Sequence, residues 1–181
     1  MRRVVSVLGV TALVLAGGLA GAEVTPPPPG ECDFVTGGGF IIRDSGFKAN
    51  FGVGGGCKKN GPDAPFWGHL NYIDHETGLH VHGTSVTGYF ITGDTTRDIC
   101  GEATTNQDGT VFYRVTVDDQ GEPGVNDRFI IRLSSGYTTE SDSNNTLGGD
   151  GPGGGNIQLH KSNPSTAGSP GGSCGVEFVG E

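Results

Sequence analysis

The sequence is poor in positive charge: 11 Lys and Arg stand against 20 Asp and Glu, for a formal net charge of −9. Nucleic acids and anionic membrane surfaces are gripped through clustered Lys and Arg, so this balance argues against both as partners. Tryptophan and methionine occur once each. Past residue 16 there is no long apolar run, so membrane insertion is not expected of the rest of the chain. Several catalytic and metal signatures are missing as well. No cysteine lies in a C-x-x-C pair, which argues against a zinc ribbon. No G-x-S-x-G elbow occurs, and Gly37-Gly38-Gly39 and Gly54-Gly55-Gly56 lack the G-K-[ST] and following helix of a phosphate loop. No catalytic residue is assigned. A glycosidase-type carboxylate pair is defined by distance in space, which sequence does not address.

What is present begins with Arg2 and Arg3, an apolar run from Val4 to Ala16, and small residues at Ala20-Gly21-Ala22. A basic start, a run too short to span a bilayer and an A-x-A-like site read as a secretory signal peptide over 1–22, cleaved near Ala22. The expected product is secreted. Cys32 lies behind Pro26-Pro27-Pro28-Pro29, too far along to be a lipid-modified first residue. Residues 23–31 read as a spacer, since consecutive prolines favour an extended polyproline II segment. The remainder divides into a β domain over 32–161 and a Gly/Ser/Pro-rich tail over 162–181 that returns to the domain through Cys174.

Four cysteines, Cys32, Cys57, Cys100 and Cys174, form an even set in an exported chain, which predicts two disulfides. Three pairings are possible. The expected one joins Cys32 to Cys174, tying the ends of the domain together, and Cys57 to Cys100.

Val111, Tyr113, Val115 and Val117 alternate with Phe112, Arg114 and Thr116, the period of a half-buried strand. Phe129, Ile131 and Leu133, then Ile157 and Leu159, repeat the pattern. Further strands are expected over 34–43, 47–53, 67–73, 79–91 and 99–105. A bulge is expected near Gly83, where apolar parity shifts. Asp44-Ser45-Gly46, Asn60-Gly61-Pro62, Glu76-Thr77-Gly78 and Gln107-Asp108-Gly109 mark turns. No helix-periodic stretch comes after the leader. The fold class is therefore all-β: an antiparallel sandwich or small closed barrel of seven to eight short strands with Gly-rich loops. Residues 138–155 and 162–173 read as mobile surface loops.

Taken together, Val35-Thr36-Gly37-Gly38-Gly39, Gly68-His69-Leu70-Asn71-Tyr72-Ile73-Asp74-His75, Gly121-Glu122-Pro123-Gly124, Asp127-Arg128-Phe129 and Gly154-Gly155-Asn156-Ile157-Gln158-Leu159-His160-Lys161 resemble a family of small exported bacterial β domains. Those domains are described as following a choice-of-anchor protein region. The resemblance spans about residues 32–161. It implies a β-rich exported domain and brings no catalytic residue.

Two clusters are candidate metal sites. His69, His80 and His82 fall on a predicted hairpin, and an H-x-H pair on one strand face can hold zinc, copper or iron through imidazole nitrogens. The plainer reading turns His80 and His82 to solvent with Leu79 and Val81 inward. Asp118, Asp119 and Asp127, with Glu122 and turn glycines, offer the oxygens a hard cation such as calcium requires, without EF-hand spacing. The plainer reading is a tight loop in which Asp127 bonds backbone N–H groups. No cofactor beyond such a divalent metal is implied. Phe66, Trp67, Tyr72, Tyr89, Tyr113 and Tyr137 are the aromatics from which sugar-stacking rings would come. The functional expectation is a non-catalytic binding or surface-associated module for a glycan or protein ligand, with a small extracellular metalloprotein as the alternative.

Overall fold

The computed structural model describes residues 32–58, 65–149 and 151–175. The expected signal peptide and spacer, the Asn60-Gly61-Pro62 turn, Asp150 and the tail beyond Gly175 lie outside them.

The described chain is all-β. Strands β1 (Phe34–Ile42), β2 (Lys48–Cys57), β3 (Phe66–Asp74), β4 (Leu79–Ile91), β5 (Thr96–Thr105), β6 (Gly109–Asp118) and β7 (Arg128–Leu133) pair in chain order as an antiparallel meander. Strand β8 (Gly155–His160) returns to pair with β1, giving the order β7-β6-β5-β4-β3-β2-β1-β8. Short turns make this order, because antiparallel neighbours need only a tight reversal. Gly46, Gly78 and Gly109 close three of those turns with positive φ, the conformation their sequence context predicted.

The sheet curls into a half-barrel with one face inside. Val35, Val53, Leu70, Ile99, Val115 and Ile131, one from each of six strands, are at most 1% exposed. Phe51 on β2 stacks on Phe129 of β7 with ring centroids 4.0 Å apart, although the two strands stand far apart in the sheet order. Glycines on the inner face allow this tight curl. A Cβ on Gly55 would stand 2.9 Å from Ile99 Cδ1, and one on Gly101 would stand 2.6 Å from the Tyr113 hydroxyl oxygen. Large and small residues thus interdigitate across the interior.

The expected bulge is present. The β4–β5 register shifts between Gly83 and Ser85 and again between Val86 and Gly88. Strand β4 pairs with β3 only from Leu79 to His82. Beyond that point β9 (Gly171–Gly172) pairs with β4 instead, at Gly88 and Tyr89.

Three expectations are corrected. The disulfides join Cys32 to Cys57 and Cys100 to Cys174, because antiparallel pairing of β1 with β2 sets Cys32 beside the end of β2, while β9 carries Cys174 over β5. Residues 162–173 are docked: Thr166 is buried, Ser173 N–H donates to the Thr87 carbonyl, and the Thr87 hydroxyl donates back to the Ser173 carbonyl. Residues 138–149 are also packed. Thr139, Asn145 and Leu147 are buried, and bridges Arg128↔Thr146 and Ile41↔Leu147 connect β7 to β1. Low hydrophobicity suggested mobility, but these segments gain order from backbone pairing, which needs no apolar side chain.

Candidate functional site

The placement of the histidine candidates is set by strand alternation. Leu79 and Val81 point into the core, so His80 and His82 face solvent, and Asn71 and His69 of β3 share that outer face. His82 sits opposite Asn71, with its Nδ1 2.9 Å from Asn71 Oδ1, and His80 lies opposite Ile73. His69 is opposite Gly54 on β2, and its ring lies against that glycine. The three imidazoles therefore occupy different rows of the sheet. Among the described residues no three of His, Cys, Asp and Glu are gathered to hold a metal ion.

The carboxylates of the β6–β7 loop have structural partners. Asp118 Oδ1 accepts from the hydroxyls of Thr95 and Thr96, and its Oδ2 from Gln120 Nε2. Asp119 accepts from Gly121 N–H and, at 2.7 Å, from Leu159 N–H. Asp127 accepts from Gln120 N–H at 2.9 Å and from Ile157 N–H at 2.7 Å. Ile157 and Leu159 lie on β8, the terminal strand on that side of the sheet order. Asp119 and Asp127 thus supply the acceptors that a neighbouring strand would otherwise offer, and they blunt a sheet edge. All six oxygens have hydrogen-bond donors, and Asp127 bonds backbone N–H groups as the loop reading expects. Desolvation pushes the Asp127 carboxyl above its ordinary range, aided by Asp119 and Glu122, while the two backbone donors pull the other way.

A buried polar cluster at one end of the half-barrel was not legible in sequence. Asp74, fully buried, accepts from Arg43 at 2.8 Å and from the Tyr137 hydroxyl at 2.7 Å. The Tyr137 oxygen lies 2.6 Å from the Tyr72 hydroxyl and accepts from Arg43 at 2.6 Å. Arg43 also pairs with Asp142. Burial works against the Asp74 carboxylate, yet the Tyr137, Glu76 and Thr77 donors and the Arg43 charge hold it below its usual range. These residues come from three separate segments, and no spacing rule links them. Their effect is to latch the 137–142 loop onto the end of the sheet. At the other end, Arg97, 4% exposed, is held by Asp33 and by the carbonyls of Gly93 and Thr96.

The outer face of β1, β2 and β3 has a different character. Its residues are Phe34, Thr36, Gly38, Phe40 and Ile42 on β1; Lys48, Asn50, Gly52, Gly54 and Gly56 on β2; and Trp67, His69, Asn71 and Ile73 on β3. Lys48, at the end of β2, is the charged residue among them, and its ammonium rests over the Phe40 ring. Phe34 stacks on His160 at 4.5 Å and lies 5.8 Å from Trp67. Of the aromatics flagged in the sequence, Tyr72, Tyr89 and Tyr113 are fully buried and Phe66 nearly so, while Trp67 is half-buried on this face. An open groove of about 380 Å³ crosses the face at Gly52, between Asn50, Asn71 and Ile73. On the same face the Thr36 hydroxyl lies 2.8 Å from His160 Nε2. Compared with family models, curated proteins and solved structures, the chain matches none of them.

Proposed function

We propose that this chain is a secreted, non-catalytic β domain that acts as a binding or cell-surface-associated module. The observation that carries this reading is the commitment of its polar groups. The loop carboxylates close a sheet edge, the Arg43–Asp74–Tyr137 cluster latches a loop, and the Arg97–Asp33 pair ties down one end. The outer face of β1–β3, whose charge is confined to Lys48 at one end, is then the surface available for recognition. Two disulfides fit an oxidising compartment, where such bridges form and persist. Among the described residues no helix is long and apolar enough to cross a membrane. Release after Ala22 and a role like that of domains that follow a choice-of-anchor region are part of the same proposal.

The test is made on protein recovered from its native host. N-terminal sequencing is expected to begin at Glu23, and a thiol assay under denaturing conditions to find no free cysteine. Elemental analysis before and after chelator is expected to show no stoichiometric metal. A bound metal at one equivalent overturns the non-catalytic reading in favour of a metalloprotein.

A further inference from the structure

We propose that the groove over Gly52 is a binding site for a neutral glycan chain, an inference that rests on the module reading above and names its ligand class. The argument starts from the glycines of β2. On the inner face, Gly55 is required by packing, since Ile99 lies where its side chain would stand. On the outer face, Gly56 is covered: a Cβ there would lie 2.6 Å from Phe34 Cβ and 3.1 Å from Trp67 Nε1. Gly54 is covered too, by the His69 ring at 3.1 Å. Gly52 is different. A Cβ on it would meet nothing within 4 Å, and its φ is not in the left-handed region. Glycine inside a strand weakens it, and a β-branched residue would fit here. Stability therefore gives no reason for a glycine at 52, while the missing side chain is what leaves the groove open.

The groove's walls say what it would take. Asn50 Oδ1 lies 2.7 Å from His75 Nε2, and Asn71 Oδ1 lies 2.9 Å from His82 Nδ1. Each histidine fixes one end of an amide, and the other end of each amide has no partner among the described residues. Two oriented amide groups then flank an open floor, with Ile73 beside them. A charged ligand finds no counter-ion in this lining. The nearby ammonium, Lys48, rests 4.1 Å from the centre of the Phe40 ring. A purely apolar ligand would leave both amides unpaired, which costs binding. A sugar ring offers hydroxyls at its rim and C–H groups on its faces, and so matches both. The volume of about 380 Å³ suits a small organic group. Four residues along β2, at Gly56, lies the Phe34–Trp67–His160 ring cluster. That offset is about 13 Å along a strand, so a ligand touching both places is a chain of several sugar units.

The experiment uses the mature protein with both disulfides intact. Binding is measured to cellulose, chitin, galactomannan and a β-1,3-glucan, with polygalacturonate as the charged counterpart. Retention is expected on at least one neutral polysaccharide, with none on polygalacturonate, and with the oligosaccharide bound more tightly than its monosaccharide. Gly52→Leu is expected to weaken that binding by at least about tenfold while melting no lower than the wild type. Asn71→Ala is expected to weaken it as well. Failure to bind any neutral glycan, or Gly52→Leu binding as well as the wild type, overturns the groove proposal. The module reading would still stand in either case, because only a stoichiometric metal or a turned-over substrate removes that.

Discussion

Tyr137 shows how much one hydroxyl can hold. It donates to buried Asp74, receives Arg43, and sits 2.6 Å from the Tyr72 hydroxyl. Tyr137→Phe leaves those partners short of a hydrogen bond in a buried place, so a loss of about 1–3 kcal/mol in urea unfolding is expected. Asp127→Ala strips the acceptor from Gln120 and Ile157 N–H groups together. A loss of about 2 kcal/mol or more is expected there, with the melting temperature of the wild type unmoved by excess calcium. The role of Asp127 was legible in sequence, because an acid beside Gly121-Glu122-Pro123-Gly124 is poised to bond nearby backbone N–H groups. Its reach to Ile157 was not, since that contact depends on β8 returning beside the loop.

Strands and turns were legible for a related reason. Alternation and turn residues act over a few positions, and they located eight strands to within a few residues. The misses have a common cause. The expected second strand stopped at Val53, yet β2 runs on through Gly54-Gly55-Gly56 to Cys57 because its neighbours supply the rings and aliphatic groups that glycine lacks. Gly101→Ala should therefore cost about 1–3 kcal/mol or more by overpacking against the Ser85 carbonyl and the Tyr113 ring, whereas Gly52→Val should raise the melting temperature. Strand β9 has only two glycines and no pattern to read; it exists because β4 leaves β3 after His82. Replacing Cys100 and Cys174 together by serine is expected to expose residues 162–173 to limited proteolysis, with fragments read by mass, while β1–β8 stay protected. The chain-entropy picture puts the stability lost at about 4 kcal/mol for a closed loop of this size.

At the scale of the whole molecule, all four tyrosines are drawn into one titration. Burial pushes the Tyr72 phenol up to about 12, and burial likewise raises Tyr89, Tyr113 and Tyr137 above the ordinary value near 10. A raised folded-state value means that the native state disfavours the phenolate. The stability linked to these groups is fully present below about pH 10 and is lost as pH rises through the folded-state values. Phenolate absorbance should stay silent through the usual tyrosine range, then rise in one step together with loss of the β-sheet circular-dichroism signal. Any tyrosine that ionises normally while the sheet signal persists contradicts the packing described for it.

By itself the sequence determined an all-β chain, its turns, and which face of each strand is apolar, since each depends on neighbours a few residues apart. The tertiary structure decided what required distant segments to meet. It chose which cysteines pair, ordered segments that carry almost no apolar side chains, and set Arg43, Asp74, Tyr137 and Asp142 in one cluster. It also separated glycines that packing demands from Gly52, which it does not. Proximity across a curled sheet is a property of register and closure, and neither is written in any single stretch of residues.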